Sequence, residues 1–177
     1  MKRGRPRSEA AREAILSAAL QLGVKQGLRQ VTIDAIAHEA GVGKQTIYRW
    51  WANKYDVLIE ALLAYANEVL DVPQTGDLLV DLKELILRMG QALESPASTL
   101  FFELIAYCRD SADHRDLLVE FVTRRRHVLR ETLQEAPWDD EFFDMVVGAV
   151  YYRELFGHAP VDEAFAERLT AHAARLI

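Results

Sequence analysis

Thr32-Ile-Asp-Ala-Ile-Ala-His-Glu-Ala-Gly-Val-Gly-Lys-Gln-Thr-Ile-Tyr-Arg-Trp-Trp-Ala-Asn-Lys54 is the stretch whose reading decides the fold. Thr32 is suited to cap a helix, because its hydroxyl can accept from an otherwise unpaired backbone N–H. Val31 before the cap and Ile36 inside it stand at the spacing of a hydrophobic staple. Ile33, Ile36, Ala37 and Ala40 keep one apolar face. Gly41 then supplies the left-handed backbone that stops a helix. A second helix from about Lys44 to Trp51 is too short to be stable alone, so it must dock through Val42, Ile47 and Trp51. Its outward residues are Lys44, Gln45, Thr46, Tyr48 and Arg49, all hydrogen-bond donors and none acidic. Two short helices at a tight turn, the second rich in donors, read as a helix-turn-helix whose second helix enters a DNA major groove.

The run AGVGKQTIYRWWANK resembles the signature of the tetracycline-repressor (TetR) family of bacterial transcription regulators. Upstream, AILSAALQLGVKQGLRQVTIDAIA is similar to that family's first two helices, with Gly27 at the stop of helix one. The resemblance spans residues 12 to about 62. Beyond them the length and helical pattern agree, and YYRELFGHAPVDEAF resembles the last two helices of one subgroup. The resemblance implies a homodimer on a palindromic double-stranded operator, a small-molecule effector cavity in the body, and release from DNA when the effector binds.

At 177 residues with 50% apolar content, the chain can bury a substantial core. No segment is apolar for eighteen residues, which argues against a membrane span. MKRGRPRSEAAR lacks the apolar stretch of a signal peptide. The single Cys108 fits a reducing cytosol, so the expected location is cytoplasmic and nucleoid-associated. The net charge of −6 conceals an asymmetry. Residues 1–56 hold ten Lys/Arg and five Asp/Glu, a net of +5, and the remaining eleven basic and twenty-two acidic residues give −11. A basic head on an acidic body is the footprint of a nucleic-acid reader.

The expected organisation is all-α, with about nine helices: a mobile basic arm (1–7), a three-helix head (8–56) and a ligand-binding and dimerisation body (57–177). In the arm, Arg3-Gly4-Arg5-Pro6 has the composition of a minor-groove hook; the plainer reading is a solvated tail. Ser8 is the expected cap of helix one, which ends near Gln26. Gly23 leaves space there that Trp51 could fill. Asn53 should cap a long helix to about Leu70 with Leu58, Leu62, Tyr65 and Val69 buried, joining head to body. Further helices are expected near 77–93, 97–111, 114–135, 138–157 and 162–177.

For DNA, Lys44 and Gln45 are assigned to base edges. Thr32, Tyr48 and Lys54 are assigned to phosphates, and Thr46, Arg49 and Trp50 to the same interface. Met89, Phe101, Phe102, Tyr107, Cys108, Met145 and Tyr151 offer aromatic and soft walls for an effector cavity. The run around Leu100–Cys108 is apolar enough to be buried on most sides. The stripe in 138–157 is too wide for one core face, so Val147, Gly148 and Val150 are expected at a dimer interface. Asp110, Asp113 and His114 match no metal-ligand spacing, and Asp113 reads better as a helix cap. Asp139, Asp140 and Glu141 suit a helix first turn better than a catalytic pair. Arg124, Arg125 and Arg126 read as a solvated face paired with Glu120 and Glu131, or else as an anion site or a pocket gate. His127, His158 and His172 have no partner spacing. No phosphate loop, serine elbow or CxxC appears, so neither enzyme activity, cofactor nor metal is expected. The alternatives are a DNA-binding activator or architectural protein without a ligand, and a helical enzyme or carrier with a vestigial head.

Overall fold

The computed structural model describes residues 5–110, 115–133, 136–137 and 139–176, with side chains from Glu9 onward. The Arg3-Gly4 part of the arm, Asp113, His114 and Trp138 lie outside the described residues. Nine helices and no strand occur among those described. They are α1 (Arg5–Gln26), α2 (Ile33–Glu39), α3 (Lys44–Tyr48), α4 (Lys54–Val69), α5 (Leu78–Glu94), α6 (Ala97–Asp110), α7 (Arg115–Thr132), α8 (residues 140–156) and α9 (Glu163–Ala173). The fold is all-α, as the pattern of the sequence implies.

Two compact units form. The first holds Met1–Tyr65 with Pro96–Val122, and the second Ala66–Ser95 with Thr123–Ile177. In the first unit, Ile15, Ala19, Val31, Ile36, Ile47, Val57 and Leu58 are all fully buried. Six successive-turn residues of α4, from Val57 to Leu63, are buried, so this helix is enclosed on most sides. α6 is not. Its buried residues are Ala97, Leu100, Leu104 and Cys108, a single stripe at helical spacing, while Phe101, Phe102 and Ile105 are half-buried. The apolar run is therefore a one-faced helix with a broad shoulder, not the enclosed helix that its composition suggests.

Two expectations about α1 are corrected. The helix starts at Arg5, so Ser8 lies inside it rather than at its cap. The space beside Gly23 is taken by Leu100 of α6, not by Trp51: a Cβ added at Gly23 would stand 2.4 Å from Leu100 Cδ2. Glycine here lets α1 and α6 pack with a leucine driven between them.

In the second unit, α5 packs on α9 and on the end of α8. Its core includes Leu82, Leu85, Ile86, Met89, Phe142, Val146 and Val150. α8 contains a π-helical turn, Asp144–Gly148, between α-helical segments Asp140–Phe143 and Ala149–Phe156. The extra residue in that turn shifts the apolar stripe around the axis. Val147 and Val150 are both buried within their own chain, at 4% and 0% exposure. The expectation that these valines present an outer face is corrected. Gly148 is exposed with nothing near its Cβ position, and the outward apolar residues are Tyr152, Leu155 and Phe156.

Gly23→Leu forces Leu100 off its position in a closed core, which costs about 1–3 kcal/mol. The double variant with Leu100→Ala should recover most of that loss in urea denaturation. Equal destabilisation in both backgrounds would mean that Leu100 does not occupy the space.

Candidate nucleic-acid interface

Thr32 takes up the extended cap conformation before α2, and its Oγ1 accepts from the Ala35 N–H at 3.1 Å. The hydroxyl hydrogen remains free to donate outward. α2 ends at Glu39; the chain then turns at Gly41, whose φ of +65° lies in the left-handed region, and Val42 N–H closes the turn on the Ala37 carbonyl at 3.0 Å. α3 is five residues long and docks by Ile47, which is fully buried. Lys44, Gln45, Tyr48 and Arg49 are exposed on it or at its end, and Thr46 is half-buried. These donors stand together on one short, tethered helix.

The end of α3 is pinned from behind. Trp51 is 4% exposed, and its indole Nε1–H donates to Glu60 Oε2 at 2.5 Å. Arg12 of α1 pairs with the other oxygen of Glu60. One carboxylate thus joins α1, the turn after α3, and α4. Trp50 is half-buried, packed edge-on against Trp51 with ring centroids 5.3 Å apart, and the Arg49 guanidinium lies 5.4 Å from its ring.

Asn53 caps α4: its Oδ1 accepts from the Tyr55 and Asp56 N–H groups at 2.8 and 3.2 Å, while Asp56 accepts in return from the Asn53 N–H. Lys54, assigned to a phosphate from the sequence, follows and is engaged inside the fold. Its Nζ donates to the carbonyls of Leu28, Arg29 and Val31 at 3.1, 3.1 and 2.9 Å. An ammonium has three hydrogens, and all three are spent inside the fold. Lys54 clamps the α1–α2 loop to the start of α4.

The same loop is held from the other side by Glu103, whose carboxylate accepts from the Leu28 N–H at 2.7 Å. Tyr107, one turn along α6, stacks on Tyr55 at 4.1 Å. Burial and the neighbouring Tyr55 push its phenol up to about 12. Glu103 and Glu60 were not among the residues singled out in the sequence. For Glu103 a signal existed, since it is the lone acid in the apolar run Leu100–Cys108.

Lys44 is exposed, and it pairs with Asp34 of α2, which raises its pKa by a hydrogen bond and by the opposite charge. A DNA acceptor reached by Lys44 must therefore replace a carboxylate already in place.

The residues expected from the sequence at an effector cavity are divided between the units. Phe101 and Cys108 line a small apolar cavity of about 10 Å³ in the first unit, together with Ile59 and Phe121. Burial pushes the Cys108 thiol up. Phe102 packs edge-on against Phe101. Tyr107 instead borders a polar cleft of about 610 Å³ with Arg29, Glu103 and Asp110. Met89 is buried in the second unit, where Met145 and Tyr151 are half-buried. No cluster of three metal-ligating side chains occurs among the described residues. None of the described helices is long and apolar enough to cross a membrane.

Residues 15–61 match the family model for bacterial regulatory proteins of the tetR family, and residues 72–173 match that for the tetracyclin repressor-like C-terminal domain. The chain belongs to the TetR family of bacterial transcriptional regulators. It is 32% identical to the HTH-type transcriptional regulator YdeS of Bacillus subtilis, over 97% of this chain and 92% of that one. It is 29% identical to a DNA-binding transcriptional repressor, TetR, of Mycobacteroides abscessus, over 92% and 91% of the two chains. The crystal structure of the TetR family regulator SCO0332 superposes with a TM-score of 0.78 at 28% identity, covering 94% of this chain and 98% of that one. This TetR-family chain is thus a DNA-binding transcriptional regulator carrying a helix-turn-helix head.

The two roles open to Lys54 are separable. Lys54→Met should cost about 2 kcal/mol or more of stability through the lost charged hydrogen bonds. It should leave the dependence of DNA affinity on salt unchanged, measured with stable preparations across a salt series. A slope reduced by about one would return Lys54 to the phosphates.

Proposed function

We propose that this TetR-family regulator is a homodimeric repressor that reads a palindromic operator with α3 and leaves it when a small apolar molecule binds the body. The observation that carries the DNA assignment is the acid-free donor face of α3 on a helix that tertiary contacts hold rigid. Lys44 and Gln45 at its start contact base edges. Tyr48 and Thr32 donate to phosphates, with Arg49, Thr46 and Trp50 at the margin of the interface. Lys54 supports this set from behind.

One such head reads too few base pairs for selectivity, and a two-fold dimer on half-sites about 34–36 Å apart answers that. The exposed end of α8 supports the dimer: Tyr152, Leu155 and Phe156 are 56%, 60% and 69% exposed, with the Tyr152 and Phe156 rings 4.7 Å apart. Large apolar side chains gathered in the open mark an interaction surface.

The effector reading rests on the apolar seam at Phe101 and Cys108. Ligand sites for drug-sized molecules run to about 300–1,000 Å³, so a 10 Å³ seam must expand to admit one. A ligand that favours the expanded state shifts the population toward it by its difference in affinity. α6 carries that change toward DNA, because Leu100, Glu103 and Tyr107 on the same helix hold α1, the α1–α2 loop and Tyr55.

Gln45→Ala should relax sequence choice at one operator position by roughly 1–3 kcal/mol while leaving binding to random DNA nearly unchanged. Binding would be measured across an operator library; a uniform loss over all sequences would remove Gln45 from the base edges. For assembly, Leu155→Glu puts a charge on the exposed patch and should yield a folded monomer by sedimentation. Val147→Glu, buried in its own chain, should instead unfold the protomer. A Leu155→Glu protein that remains a tight dimer would place the interface elsewhere.

A further inference from the structure

The three consecutive arginines of α7 have different fates. Arg124 is exposed and Arg126 partly so, the latter paired with Asp140 and lying 4.3 Å from the Phe143 ring. Arg125 is 7% exposed, and its Nη1 is sealed from solvent without a hydrogen-bond partner. No ion pair to it occurs among the described residues. Its position explains its burial. Phe121, Arg125, Leu129 and Leu133 follow one another at four-residue spacing, and the other three are buried at 6%, 0% and 3%. Arginine stands in the apolar stripe of α7 where a leucine or methionine would ordinarily sit.

A buried charge without a partner is costly, and an apolar residue of similar volume is commonly the more stable choice. A guanidinium cannot escape by losing its proton, since it stays charged at any accessible pH. Retaining it is explained if an anion arrives to meet it. The fork of a guanidinium matches the two oxygens of a carboxylate, and the stripe around it is aliphatic and aromatic.

We infer that Arg125 is the recognition group for the carboxylate of an effector with an apolar body, a fatty or aromatic acid. This rests on the reading that the chain answers to an effector, not on the seam at Phe101 and Cys108, and it names one class of ligand. Because Nη1 is closed off, the acid reaches that atom only when the packing over it opens. Occupancy and conformational change are therefore the same event, which is the coupling that a ligand-controlled regulator needs. The carboxylate replaces an unpaired buried charge by a hydrogen-bonded pair, so the liganded protein is the more stable one.

Thermal unfolding of the full chain tests this with decanoate and salicylate, each against its primary amide as a neutral control. At a hundredfold excess over its Kd, a bound acid should raise the Tm by about 5–10 °C. The amide should give little shift. Arg125→Met should raise the Tm of the unliganded protein and abolish the response to the acid. Arg125→Lys, which keeps the charge but loses the fork, should respond only weakly. Three results would overturn the inference: neither acid shifts the parent protein, acid and amide act alike, or Arg125→Met unfolds at a lower temperature than the parent. Operator binding is measured separately on the parent protein. Its absence alongside a normal acid response would sink the regulatory reading and leave the Arg125 site intact.

Discussion

Everything the head does depends on holding a five-residue helix that cannot hold itself. α3 is too short to be stable in water, so its geometry is set wholly by what it leans on. Ile47 fills the core beneath it, Trp51 is tied to Glu60 just beyond it, and the Gly41 turn fixes its entry. The Lys54 ammonium then closes the assembly by gathering three carbonyls of the α1–α2 loop. Recognition by side chains on α3 is worth something only if the helix does not move when it meets DNA. These contacts provide that preorganisation.

The same constraint explains why α6 is built into the first compact unit. Leu100 occupies the space at Gly23, Glu103 takes the free N–H of Leu28, and Tyr107 stacks on Tyr55. Three residues spaced along one helix thereby touch α1, the loop and the start of α4. The opposite edge of α6 lines the apolar seam with Phe101 and Cys108. A helix with one side on the head and the other on this seam is the path that the proposed effector would use.

Local signals were legible in the sequence because their physics is local. The Thr32 cap, the Gly41 stop, the Asn53–Asp56 reciprocal cap and the burial of Ile47 each follow from residues within a few positions. What failed to show needed the third dimension. Nothing in the linear chain reveals that three carbonyls, 23 to 26 residues before Lys54, converge on its ammonium. Gly23 looked like space for Trp51 because its true neighbour, Leu100, is 77 positions away. Val147 and Val150 were placed outward because the apolar stripe in 138–157 is too wide for one core face, and the linear chain does not show which part of it the core takes. Arg125 was hidden in a charged run, although its place between Phe121 and Leu129 was visible as a four-residue stripe.

Selection of DNA from a random pool by the purified full-length protein tests the central claim most directly. If a rigid α3 reads bases and the protein pairs two heads, the enriched sequences will share two inverted half-sites about 10–10.5 base pairs apart, or a multiple of that spacing. Enrichment of nothing, or of a single asymmetric site bound by one chain, would contradict the account.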